Sequence, residues 1–374
     1  MEYKCKDLFL AKGVTIRKRY YTAALFIPLL IVAIGLVFLG GCNQKQTVVA
    51  PAVEQETKQH PDAGLASIKI SGYARPEALM SVYELHEKTV DPDILVIDAR
   101  GRTHRIYQKT YPSGHIPGAL PVLYSSYCNA TYPGRIATPP TVQDLLGKSG
   151  VTNTTCIVLY GGDGLEGRLY WAIKMYGHDH VKILDGGLEN WRKSGYDISA
   201  TNSSRSPVTF EFDLANSKAE LLLATLKEIE EAVGQSNCVI VDARTDTEYT
   251  RGHIPGSVNV PYELLLNKDL TFKIADHLKE LFEGKKITPE KKVFVYSNAG
   301  IRSSMIWFAL SELCGYPNVK NYDGSLNEWL KYKRPVVATD QKAQPNAGGS
   351  RTNPAPDKVA PDKAANEQKA QPGP

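Results

Sequence analysis

Internal repetition constrains this chain more than any other feature. The segment Ile94–Arg100, ILVIDAR, returns as CVIVDAR at Cys238–Arg244. Gly114–Ala119, GHIPGA, returns as GHIPGS at Gly252–Ser257. The run Cys156–Tyr160, CIVLY, matches Lys292–Tyr296, KVFVY, and Leu184-Asp185-Gly186-Gly187 with Trp191 matches Tyr322-Asp323-Gly324-Ser325 with Trp329. Four blocks in one order at similar intervals make two copies of one domain, joined near residues 200–217. A length of 374 residues accommodates two domains of roughly 120–150 residues with tethers at the ends. Domains of that size bury a core without help from disulfides or metals.

Each block predicts an element. Short β-branched runs bounded by Asp, Gly or Asn read as strands buried on both faces of a parallel sheet. Helical spacing lies between them, as in Arg302–Leu313, where Met305, Ile306, Ala309, Leu310 and Leu313 share one side. Strands alternating with helices predict an α/β fold: two tandem domains, residues 67–200 and 217–336, each a mainly parallel sheet flanked by helices. The GHIPG blocks read as turns, with proline fixing one φ and glycine permitting another. His115 and His253 are therefore expected to serve those turns rather than catalysis.

The ends of the chain read differently. A basic stretch ending at Arg17-Lys18-Arg19 precedes an apolar run from Ala23 to Leu39, then Leu39-Gly40-Gly41-Cys42. This is the plan of an export signal, residues 1–41, and its end resembles the bacterial lipobox. The resemblance implies a diacylglycerol-modified Cys42 as the first mature residue and attachment to a membrane of the cell envelope, either the outer membrane or the outer face of the cytoplasmic membrane. The alternative is an uncleaved membrane-spanning helix, which also places the chain beyond Cys42 outside the cytoplasm. Residues 42–66 read as a tether and 337–374 as a disordered tail, rich in Pro, Ala, Lys, Asp and Gln. Much of the net charge of +4 sits at these two ends, which gives no basic stripe for nucleic acid.

Six cysteines are scattered without CxxC or Cys/His spacing, so neither a metal site nor a cofactor is expected. Cys156, Cys238 and Cys314 read as small buried hydrophobes, while Cys128 falls in a loop with nothing nearby to activate it. Gly162-Asp163-Gly164-Leu165-Glu166-Gly167 spells GxGxxG after a strand. The second repeat has the same layout without the glycines, so the layout belongs to the repeated fold and not to a dinucleotide site.

The blocks resemble the rhodanese family, in particular the tandem thiosulfate and 3-mercaptopyruvate sulfurtransferases. Tyr111–Ala119 fits the family's N-terminal signature. Val319–Trp329 fits its C-terminal one, with Leu326 where an aromatic is usual. The resemblance implies an active loop, Cys-x-x-Gly-x-Arg, in the second domain and a degenerate one in the first. Here the loop reads Ser297-Asn298-Ala299-Gly300-Ile301-Arg302: glycine and arginine stand in place, and the cysteine is Ser297. A serine hydroxyl lacks persulfide chemistry and stays protonated without a dedicated base. What the loop retains is an anion cradle of backbone N–H groups with Arg302, suited to a small sulfur oxyanion such as thiosulfate. In the first domain Gly161 takes the nucleophile's place and Glu166 that of Arg302, leaving that half as one wall of an interdomain cleft. Three functions are compatible with these residues: a silent sulfurtransferase relative that binds an oxyanion, an active sulfurtransferase, or a membrane-tethered interaction module whose protein partner is unknown.

Overall fold

The computed structural model describes residues 60–132 and 134–339. The apolar run at 23–39, Cys42 and most of both terminal segments lie outside the described residues. No helix among the described residues is long and apolar enough to cross a membrane.

Two five-stranded sheets account for the repeat. The first comprises β1 (Leu79–Met80), β2 (Ile94–Gly101), β3 (Leu120–Leu123), β4 (Cys156–Tyr160) and β5 (Val181–Leu184), ordered β1-β5-β4-β2-β3. The second comprises β6 (Leu223–Ala224), β7 (Cys238–Asp242), β8 (Val258–Asn259), β9 (Lys292–Tyr296) and β10 (Val319–Tyr322), ordered β6-β10-β9-β7-β8. Every pairing between these strands is parallel. The registers repeat as well: Asp98 stands opposite Tyr160 as Asp242 stands opposite Tyr296.

The continuous apolar strands are explained by burial on both faces. On the outer faces, Met80, Val96, Val158 and Trp191 form one cluster and Ile229, Ile240, Phe294 and Trp329 its counterpart. The inner faces merge into one core that runs through both halves, from Leu95 and Leu159 to Val241 and Val295. The segment after 200 is part of this packing, because Phe210 and Phe212 are buried in that core and the Val208 amide donates to the Gly147 carbonyl at 2.9 Å.

The repeated polar residues form a clasp. Arg244 donates to both oxygens of Asp242 and, from Nη2, to the Gly252 carbonyl at 2.7 Å. Arg100 does the same with Asp98 and the Gly114 carbonyl at 2.9 Å. Tyr160 and Tyr296 each accept the amide of the turn's isoleucine, Ile116 and Ile254. His115 and His253 sit inside these turns, stacked at 3.7 Å on Tyr111 and Tyr249 with Nδ1 against the same tyrosine's carbonyl. Their role is structural.

Three boundaries differ from the sequence reading. Helix Ala63–Ser71 begins inside the span assigned to the tether. Its Leu65 and Ile68 are about 70% exposed, so the helix presents no buried apolar stripe. Val337, placed at the head of the tail, pairs with His253 in an antiparallel bridge. The helix expected over 302–313 is α-helical only through Phe308 and widens into a π turn at Ala309–Leu313. There the Glu312 and Leu313 carbonyls receive the amides of Arg75 and Ala74 from the first half, a tertiary contact that displaces the regular ladder.

Candidate functional site

The loop after β9 is assembled from both halves. Ser297 directly follows β9 and is buried. Behind it, Ser325 opens helix Ser325–Lys331 at φ +52° and turns its hydroxyl into the loop. Its Oγ accepts the amides of Ser297 at 3.1 Å and Gly300 at 2.9 Å. Gly300 is at φ +70°, and a Cβ there would meet the Asp323 carbonyl at 3.0 Å, so the loop closes only around glycine. The Ser297 Oγ has Ser303 Oγ at 3.5 Å, and Ser303 in turn donates to Asn321 at 2.7 Å. Among the described residues no imidazole or carboxylate bonds the Ser297 hydroxyl.

Arg302 is already engaged. Its guanidinium forks onto Glu248, Nη1 to Oε2 at 2.6 Å and Nη2 to Oε1 at 2.8 Å, a bidentate pair of the strong kind. Asn298 Nδ2 donates to the same carboxylate at 2.9 Å. These bonds, led by that from Arg302, hold the Glu248 carboxyl down at about 2, so the pair is ionised throughout the physiological range. Glu248 is the N3 residue of a Thr245 capping box. That box is legible in sequence, but its contact with the loop, 54 residues away, is not.

The floor and lid of the loop come from the first half. Arg168, on helix Leu165–Met175, is fully buried; it pairs with Asp323 and donates to the carbonyls of Gly300 at 3.2 Å and Gly134 at 3.0 Å. Asp323 Oδ2 also accepts the Ile136 amide at 2.9 Å, and Arg135 pairs with Glu328. Asp185, the repeat's equivalent acid, reciprocates by accepting the Phe272 amide of the second half at 2.8 Å and pairing with Lys69 at 2.5 Å. The halves approach closely because Gly164 and Gly167 face Ile301 and Met305: a Cβ on Gly167 would lie 2.5 Å from the Met305 sulfur.

The sequence-predicted loop residues Ser297 to Arg302 are thus contiguous in space, while Glu248, Ser325, Asp323 and Arg168 complete the site without having been singled out. The cysteines stand apart from it in different degrees. Cys314 is buried, with burial pushing its thiol up to about 12. Cys156 and Cys238, expected in the core, are only partly buried at strand starts. Cys128 is partly buried, and burial raises its thiol pKa despite nearby Arg168.

The rhodanese-like domain family matches residues 81–194 and 225–332, more than half of the chain and one match per sheet. The chain belongs to the rhodanese-like family. The loop after β4 approaches the loop after β9 at Gly164, where a Cβ would lie 3.2 Å from the Ile301 carbonyl. The chain is similar to the sulfur carrier protein TtuD of Thermus thermophilus, 31% identical over 285 residues, 69% of this chain and 95% of that protein. It is 32% identical over 240 residues to a Saccharopolyspora erythraea protein named "Putative thiosulfate sulfurtransferase", covering 59% of this chain and 83% of that one. Its fold is similar to that of an anaerobic ergothioneine biosynthesis enzyme from Chlorobium limicola, with TM-score 0.62, 24% identity and 71% of each chain covered.

Proposed function

We propose that this rhodanese-like protein is a silent sulfurtransferase relative: it binds a small sulfur oxyanion such as thiosulfate at Ser297–Arg302 and does not turn it over. The reading rests on Ser297, which aligns with the family's nucleophile position with an oxygen in place of sulfur and, among the described residues, only the Ser303 hydroxyl within hydrogen-bond reach of its own. An oxygen there forms no persulfide, and without a base it attacks nothing. The names of both relatives point to sulfur-containing ligands.

In this reading Glu248 is a built-in competitor for Arg302. The bidentate geometry, discounted for the partial exposure of the pair, makes its disruption worth about 1 kcal/mol. Glu248→Gln, which keeps a side-chain oxygen for the Thr245 cap, should therefore tighten thiosulfate binding by about fivefold in calorimetry. Because the Glu248 carboxyl is held at about 2, wild-type affinity should stay level between pH 5 and 8. No thiosulfate binding by either protein would refute the oxyanion reading.

The anchoring belongs to the same proposal. Cys42 comes directly after Leu-Gly-Gly at the end of an apolar run, which supports export and diacylglycerol attachment at that thiol, with the two domains held outside the cytoplasm at a membrane surface. Expressed in a bacterial host, the full chain should take up labelled palmitate and sediment with membranes, and Cys42→Ser should lose the label. Label retained in that variant would reject Cys42 as the acceptor.

A further inference from the structure

The two loops carry opposite charge. Where the second ends in Arg302, the first, Gly161–Glu166, ends in a carboxylate. Unlike Arg302, Glu166 has no counter-ion: its Oε2 is buried and lacks a hydrogen-bond partner among the described residues. That oxygen lies over Gly161, only 2.5 Å from where a Cβ on that residue would stand. The carboxylate therefore turns back over its own loop, beside the residue that aligns with Ser297.

Glu166 lines a cavity of about 280 Å³ to which both halves contribute. This is at the small end of ligand sites, below the roughly 300–1,000 Å³ of drug-sized pockets. Leu266, Leu270, Phe272 and Met305 give it an apolar wall from the second half. Asp163, at φ +55°, adds a second carboxylate with no ion pair among the described residues. The cations of the lining stand away from Glu166, which makes no ion pair with either among the described residues. Arg100 is committed to Asp98 and the Gly114 carbonyl, while Arg192 is turned toward Gly114. Glu189 is compensated by Lys193 at 3.5 Å. An apolar wall opposite an unpaired acid matches a ligand with a hydrocarbon body and a positive, hydrogen-bond-donating end.

We propose that this first-half cavity is a second ligand site, which takes a small organic ammonium ion with its N–H groups on Glu166 and its hydrocarbon on Leu266, Leu270 and Phe272. A carboxylate with one oxygen buried and unpartnered is costly, and a bound cation relieves it. Burial pushes the Glu166 carboxyl up to about 7, so a cation that binds the ionised form releases a proton near neutrality. The tyrosines that face it, Tyr127 and Tyr262, are themselves pushed up by burial and stay protonated there, as does Tyr160 in the cavity wall.

The test is calorimetric titration of the full chain with n-butylammonium chloride at pH 6, 7 and 8. Affinity should rise about tenfold from pH 6 to 8 as the acid ionises. Glu166→Gln should weaken binding at least about tenfold and abolish the pH dependence. Asp163→Asn, at an exposed position that tolerates the change, should weaken it about threefold with the pH dependence intact. No wild-type binding, equal binding by Glu166→Gln, or a level pH profile would each overturn the proposal.

Discussion

Arg168→Ala is expected to destabilise the chain by about 3–5 kcal/mol, because it leaves a buried carboxylate without its partner. The guanidinium is fully buried and Asp323 nearly so. After the change Asp323 keeps only the Ile136 amide, and the carbonyls of Gly300 and Gly134 lose their shared donor. In a body of this size the melting temperature should fall on the order of 10 °C. Denaturant unfolding of Arg168→Met with Asp323→Asn separates charge from packing. The double variant keeps an acceptor for Ile136 and removes the bare acid, so it should recover most of the loss. A single-variant loss below about 1 kcal/mol would show that the pair does not hold the halves together.

Ser297→Cys is the second large effect, a gain. Incubated with thiosulfate, the wild-type chain should acquire no sulfur, whereas the variant should gain one sulfur atom by mass and release it to cyanide. The cradle that would favour a thiolate is only partly available, since Ser325 already accepts the amides of Ser297 and Gly300. Turnover should consequently remain slow even with the thiol restored, and burial of position 297 acts in the same direction. Sulfur gained by the wild-type protein would refute the silent reading. A folded variant that gains none would show that the lost chemistry extends beyond one side chain.

Much of this architecture is legible from residue patterns, for identifiable reasons. Strands buried on both faces leave continuous apolar runs, and the Asp-x-Arg clasp on the GHIPG turn leaves fixed polar residues at fixed spacing, so both halves announce themselves twice. The loop Ser297–Arg302 is readable because its residues are consecutive. Glu248 and Arg168 cannot be assigned to it from sequence because their contacts with it span 54 and 132 residues of chain, and no local period records them. Helix Ala63–Ser71 escapes a reading by pattern because an exposed helix needs no apolar stripe. The π turn at Ala309–Leu313 escapes it because the amides that widen it come from Ala74 and Arg75. Glu166 is legible as a charge reversal, but its solitude is not.

The reciprocal grips at Asp185 and Asp323 bear on how such a chain can change over time. Each acid fastens a strand of backbone owned by the other repeat, so the duplicates are no longer interchangeable spares. One copy can shed its chemistry and still brace the other, because removing either would strip a buried acid of a partner.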